Sequence, residues 1–268
     1  MSTLEKQLLA APRKARYFLT VAAVVLVLFI WSLTSVSFQD MDQSGARIAL
    51  NIFKGLLQPD LGLLFNFTAQ GVLYLLVQTI AIAFLGTLVG SVLAVPLAFL
   101  AASNIVPRPV SWLTRLVLIT IRTIPALVYG LMFIRVTGPG PFAGVLTLGL
   151  VSIGMLAKLF VDAIEELDTR VLESMTSVGC TTFEKIRFGI VPQLLSMFLS
   201  VMIYRFDMNM REASILGLVG AGGVGAPLIF AMRSYKWSEV GSLLIGLIVL
   251  ILIIEWVSNR LRSKLVQG

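Results

Sequence analysis

The chain has 268 residues, of which 57% are hydrophobic and 13% charged, with a formal net charge of +7. A soluble domain carries about 25% charged residues, so this composition excludes an ordinary water-soluble enzyme. One cysteine, Cys180, and no histidine exclude an intramolecular disulfide, a histidine-based zinc or haem site and a histidine general base. The basic residues are dispersed beside apolar runs, which is a membrane-topology pattern and not a nucleic-acid footprint.

The first apolar run, Tyr17–Val36, holds twenty residues without a charge, enough for one crossing of a bilayer core that needs about 20. Lys6, Arg13, Lys14 and Arg16 precede it, yet the run exceeds the apolar core of a cleaved signal and no small-residue cleavage site follows. Six spans are predicted, near 17–36, 72–101, 114–134, 142–162, 190–208 and 239–257. An all-α integral membrane protein follows. Thirteen Lys and Arg lie on one side and six on the other, which predicts both termini in the cytoplasm.

Residues 37–70 then form an outer loop with Asp40, Asp42 and Asp60, and 46–57 reads as an amphipathic helix. The organisation is a tail, first span and loop over 1–70, a membrane domain over 71–260, and a tail over 261–268. Gly86, Gly90 and Ala94 recur every four residues, a spacing that lets helix backbones approach; ordinary packing inside the domain explains it. Pro96 and Pro125 sit inside predicted spans and are expected to kink them.

Arg122 falls inside the third span, where a central arginine costs about 2.5–3.5 kcal/mol and must be hydrated or paired. It either faces a pore, where it would meet a passing anion, or forms a structural ion pair or hydrogen bonds to carbonyls freed by Pro125.

Residues 162–193 are the one strongly charged segment between two spans. They read as two short helices, the first over 163–178, with Gly179 at the turn and Thr181–Glu184 as a capping box. Phe183, Ile186 and Ile190 are expected on one face. Such a hairpin suits docking into a partner's groove or lying on the bilayer surface.

Residues 210–227 are glycine-rich. Gly220, Gly222 and Gly225 spell GxGxxG, but no βαβ unit surrounds them, so a dinucleotide site is excluded. No phosphate-binding GxxxxGK[ST] loop occurs, so the chain is not read as an ATPase. The glycines are expected to form a turn that ends the fifth span, and free backbone N–H groups there would suit an anion. Arg205 and Arg211 precede the turn, six residues apart and on different helix faces, with Asp207 a local partner for one of them. Asn209 and Ser214 are neutral groups able to bond an oxyanion. Met155, Met202 and Met210 read as packing residues.

Glu173, Gly179 and Pro192 match the spacing of the EAA signature of ABC importer permeases, with Ser174 and Met175 in place of its alanines, Gly189 at its isoleucine position and Val191 at its leucine position. Tyr204–Gly225 and Gly138–Val145 resemble the phosphonate/phosphite subfamily, and the likeness covers roughly 70–260. The resemblance implies a type I importer permease in a bacterial cytoplasmic membrane. It implies a homodimer, two copies of a cytoplasmic ATPase that carries ATP and magnesium, and an extracytoplasmic binding protein delivering a phosphonate-like oxyanion. The chain itself then holds no cofactor and is not an enzyme. The coupling helix would use Glu173, Ser174, Met175, Val178, Gly179, Thr181, Phe183, Glu184 and Pro192. The substrate path would use Arg122, Arg205, Asn209, Arg211, Ser214, Gly220, Gly222 and Gly223. A permease for another nutrient such as an amino acid is the near alternative; a secondary transporter and an intramembrane enzyme fit less well.

Overall fold

A computed structural model describes residues 15–35, 43–66, 68 and 71–267. The basic lead residues Lys6, Arg13 and Lys14, and Asp40 and Asp42 of the predicted outer loop, lie outside the described residues. The described residues form helices α1 (Ala15–Ser35), α2 (Gln43–Leu57), α3 (Leu61–Leu64), α4 (Val72–Ala101), α5 (Arg108–Thr123), α6 (Ala126–Thr137) and α7 (Pro141–Glu165), followed by α8 (Thr169–Ser177), α9 (Thr182–Glu184), α10 (Val191–Leu218), α11 (Gly225–Arg233) and α12 (Trp237–Gln267). A π-helical segment, Lys185–Ile190, joins α9 to α10.

Two units divide the chain, 1–50 and 51–268. In the first, α1 carries no charge beyond Arg16 and is exposed at every position from Tyr17 to Ser32. In the second, large apolar side chains face outward along whole helices, among them Phe84, Leu88 and Val92 of α4 and Ile248, Leu252 and Trp256 of α12. Contiguous exposed apolar surface of this extent is the inverse of a water-soluble fold and belongs against lipid. Among the described residues, four helices are long and apolar enough to cross a bilayer: Val72–Ala101, Pro141–Glu165, Thr182–Leu218 and Trp237–Leu265.

The third predicted span, 114–134, is not one helix. It divides into α5 and α6, bent by 85° at Ile124–Pro125. Proline's ring drives the preceding residue out of the helical region, and Ile124 is extended at φ −86°, ψ 125°. The pair is either one broken span, which would bring the candidate crossings to five, or a re-entrant loop. Pro96, by contrast, leaves α4 unbroken. Three other boundaries differ from expectation. Ala163, Ile164 and Glu165 end α7 and do not begin the hairpin. The fifth span continues past residue 208 to Leu218, and the last helix runs on to Gln267, through the predicted 261–268 tail.

The centre of the bundle is α7, whose buried positions run from Ala143 to Ile164. It lies against α4 at a separation only small residues allow. A Cβ on Gly86 would stand 2.6 Å from the Leu148 Cβ, and one on Gly90 would stand 2.5 Å from the Ser152 Cβ. The Gly86–Gly90–Ala94 spacing is thus packing within the chain. Toward the hairpin, Ala94, Ala98 and Ala101 of α4 meet Phe160 of α7 and Phe198 of α10, whose rings lie 4.3 Å apart. At the opposite end Val72, Val224 and Val240 close a second cluster. The Gln58–Asp60 segment is bonded to the start of α12, with Ser238 Oγ donating to the Gln58 carbonyl at 2.7 Å and Ser242 Oγ to that of Asp60 at 3.0 Å.

The α4–α7 contact predicts that Gly90→Ala, a single added methyl, destabilises the protein by about 1–3 kcal/mol through overpacking. Gly45→Ala, in a helix with nothing within 4 Å, should not destabilise and should add up to about 1 kcal/mol. Thermal unfolding in detergent compares the two.

Candidate functional site

Apart from Arg122 on α5, two regions hold the residues singled out in the sequence: the hairpin after α7, and the polar stretch of α10 with the loop that follows it.

The hairpin is built by local bonds. Asp168 caps α8, its side chain accepting from the Arg170 N–H at 3.0 Å. The Arg170 guanidinium and then that N–H hold the Asp168 carboxyl below the usual range. Because the folded value is lowered, this cap helps hold the hairpin at neutral pH and is lost as pH falls through the lowered value. Gly179, at φ +86°, ends α8. The Cys180 N–H reaches the Met175 carbonyl at 3.0 Å and the Gly179 N–H reaches that of Thr176 at 2.9 Å, the paired bonds of a Schellman motif. The capping box forms as the sequence predicts: the Thr181 N–H donates to Glu184 at 2.7 Å and the Glu184 N–H to the Thr181 hydroxyl at 3.4 Å.

Over Lys185–Ile190 the helix widens to π geometry just before Pro192, which has no N–H to donate. Met175 Sδ occupies the space a Cβ on Gly189 would need, at 2.5 Å, so glycine at 189 lets α8 close on the π segment. Ile190 is buried and Ile186 partly so, but Phe183 is not on their face; it is 68% exposed, and Val178 at the turn is 84% exposed. Glu173 lines a cavity with Thr176, Lys185 and Ile186.

On α10, Arg205 is 2% exposed. Its two terminal nitrogens donate to Glu212 at 3.2 and 3.0 Å, and its Nε donates to Ser152 of α7 at 3.0 Å. The Asn209 amide, fully buried, donates to Thr87 of α4 at 2.8 Å and to Ser152 at 2.9 Å. Arg211 takes Asp207 as its partner at 2.5 Å, one turn away. Ser214 donates to the Met210 carbonyl at 3.2 Å. Arg205 and Asn209 are therefore bonded within the bundle. Sequence reasoning missed the Arg205–Glu212 pair, naming only Asp207 as a partner, although its seven-residue spacing on one helix face could have signalled it; Ser152 and Thr87 carried no local signal.

The glycine loop is similarly engaged. Gly220, Gly222 and Gly223 have φ of +101°, +83° and +73°, values that favour glycine. N–H groups expected to be free for an anion have protein partners instead: Gly220 donates to the Gly217 carbonyl and Ala221 to that of Leu216, at 3.0 and 3.1 Å. The Gly223 N–H donates to Gln78 at 2.9 Å and the Val224 N–H to Thr79 at 3.1 Å. Buried backbone must be paired, and α4 supplies the pairing.

Arg122 stands apart from this network. It is exposed, lies two residues before the α5–α6 break, and its stem crosses Gly154, where a Cβ would meet Arg122 Cγ at 2.6 Å. Among the described residues it makes no hydrogen bond or ion pair.

Removing one partner of a buried ion pair leaves the other uncompensated. Glu212→Gln should destabilise the protein by about 3 kcal/mol, and Arg205→Met with Glu212→Leu should recover part of that loss. Unfolding midpoints of the single and double variants measure the coupling.

Residues 94–267 match the family described as the binding-protein-dependent transport system inner membrane component. The phosphate-import permease protein of Mycolicibacterium smegmatis is 37% identical over 204 residues, which are 75% of this chain and 38% of that protein. The chain thus spans well under half the length of that relative. A phosphite transport system permease protein of Stutzerimonas stutzeri is 34% identical over 189 residues, 70% of this chain and 69% of that one. An inward-facing structure of a methionine ABC transporter shares the fold at a TM-score of 0.63 and 20% identity, over 72% of this chain and 95% of that one. With its family match running through α7, the hairpin, α10 and α12, this chain belongs to the inner membrane components of binding-protein-dependent transport systems.

Proposed function

We propose that this chain is the membrane-spanning subunit of an ATP-driven importer of a small phosphorus oxyanion, a phosphonate, phosphite or phosphate. The observation that carries this is the likeness, over 70% or more of the chain, to permeases named for phosphate and phosphite import. The shared chemistry of those ions is a compact tetrahedral anion.

In this reading α1 is the sixth crossing, both termini are cytoplasmic, and two copies of the chain enclose the path. The α8–α9 hairpin is the coupling element. Its apolar tip, Val178 and Phe183, enters a cleft on each of two ATPase subunits, while Glu173 and Lys185 remain at the surface. The self-capped turn supports this role, because a hairpin that holds its own shape can transmit a push. ATP and magnesium reside on the ATPase, and no covalent step occurs on this chain. An extracytoplasmic binding protein delivers the anion at the opposite face. The importer fold also serves methionine, so an amino acid is the competing cargo.

The test is ATP hydrolysis by the complete complex in nanodiscs, with its binding protein and a panel of phosphonate, phosphite, phosphate and methionine. Stimulation by a phosphorus oxyanion is expected. Stimulation by methionine alone would reject the cargo, and transport without any ATPase would reject the class. Charging the hairpin tip by Val178→Asp with Phe183→Asp should cut ATPase co-purification at least about tenfold, since buried apolar anchors dominate such interfaces. The melting temperature should not change, because both side chains are exposed.

A further inference from the structure

Arg108, Arg115 and Arg122 recur every seven residues on α5, a step of about 20° around the helix, so they form one basic face. That face meets the end of α7 that leads into the hairpin. Between the two helices lies a cavity of about 280 Å³ lined by Arg115, Leu118, Ile119, Arg122, Lys158 and Val161. It holds three cations. Two acids face them: Glu165 bonds Arg115 at 2.5 Å, and Asp162 bonds Lys158 from one turn along α7. Arg122 has neither a hydrogen bond nor an ion pair among the described residues. Arg122 and Lys158 are both exposed, and Gly154 lets the Arg122 stem lie flat on α7 one turn from Lys158.

An exposed arginine and lysine on bilayer-crossing helices do not face acyl chains; they face water or a counter-charge. We infer that this cavity is an anion seat on the hairpin side of the translocation path, where Arg122 and Lys158 hold a tetrahedral phosphorus oxyanion between them. Arg115, tied to Glu165, sets the base of the seat. Asp162 and Glu165 offset two of the three positive charges, which keeps the hold weak enough for release. Leu118, Ile119 and Val161 supply an apolar wall that accommodates the carbon substituent of a phosphonate. The cargo class rests on the function proposed above; the electropositive seat rests on the geometry alone.

The experiment uses the complete complex in nanodiscs, with Ile119→Cys introduced in a Cys180→Ser background. Its labelling rate is measured with a sulfonate-bearing and a trimethylammonium-bearing methanethiosulfonate. A focused positive potential raises local anion concentration by 10–10³, so the sulfonate reagent should react at least about tenfold faster. Arg122→Gln or Lys158→Gln should bring the two rates together, and millimolar methylphosphonate should slow the sulfonate reaction. Equal rates, no reaction with either reagent, or no protection by methylphosphonate would overturn the seat. Protection by methylphosphonate in a complex whose ATPase answers to no phosphorus oxyanion would instead overturn the cargo and leave the seat standing.

Discussion

Arg205 is the interaction on which the arrangement of the helices depends. Its guanidinium is 2% exposed and finds Glu212 on its own helix and Ser152 on α7. A charge buried at this depth is tolerated only when its donors are met. Meeting them fixes the rotation of α10 about its axis and its height beside α7. Asn209, one turn on, bonds the same Ser152 and adds Thr87 of α4. Three helices are thereby held at one level by a hydroxyl, an amide and an ion pair. The helix so anchored continues without a break from the capping box at Thr181 to the glycine turn after Leu218. One continuous helical stretch therefore links the hairpin with the far side of the domain.

The glycines complete the constraint. Without side chains at Gly86, Gly90 and Gly149, α4 and α7 come close enough for Thr87 and Ser152 to reach the same amide. Within a bilayer there is little hydrophobic gain in joining two apolar helices, so close packing and a few polar contacts must hold them. Here the two devices depend on each other.

What could be read from the sequence was what is decided locally. The capping box of Thr181 and Glu184, the turn at Gly179 and the Asp207–Arg211 pair each lie within a few residues, and all form. Four of the six predicted spans, those near 72–101, 142–162, 190–208 and 239–257, are single helices of crossing length among the described residues, legible because bilayer thickness sets that length. The errors came where a distant partner changed a local meaning. Residues 163–165 read as the start of the charged hairpin; they end α7, where Arg115 and Ser103 bind Glu165. Pro96 and Pro125 look alike in sequence and both are expected to kink their spans; the chain bends by 85° at Pro125, whereas α4 runs unbroken through Pro96. Gly223 and Val224 of the glycine loop read as free donors because their acceptors, Gln78 and Thr79, lie 145 residues earlier in the chain.

That last pairing bears on how the protein is made. Gln78 enters the membrane with α4, and its acceptor oxygen meets the Gly223 N–H only after 145 more residues have been synthesised. At about 5–20 residues per second this is a wait of roughly 7–30 s. Through that interval the nascent α4 carries an amide side chain with its eventual partner still on the ribosome. The early chain is therefore a natural client for insertion machinery that shields polar groups from lipid, and translation speed between α4 and α11 becomes a determinant of yield.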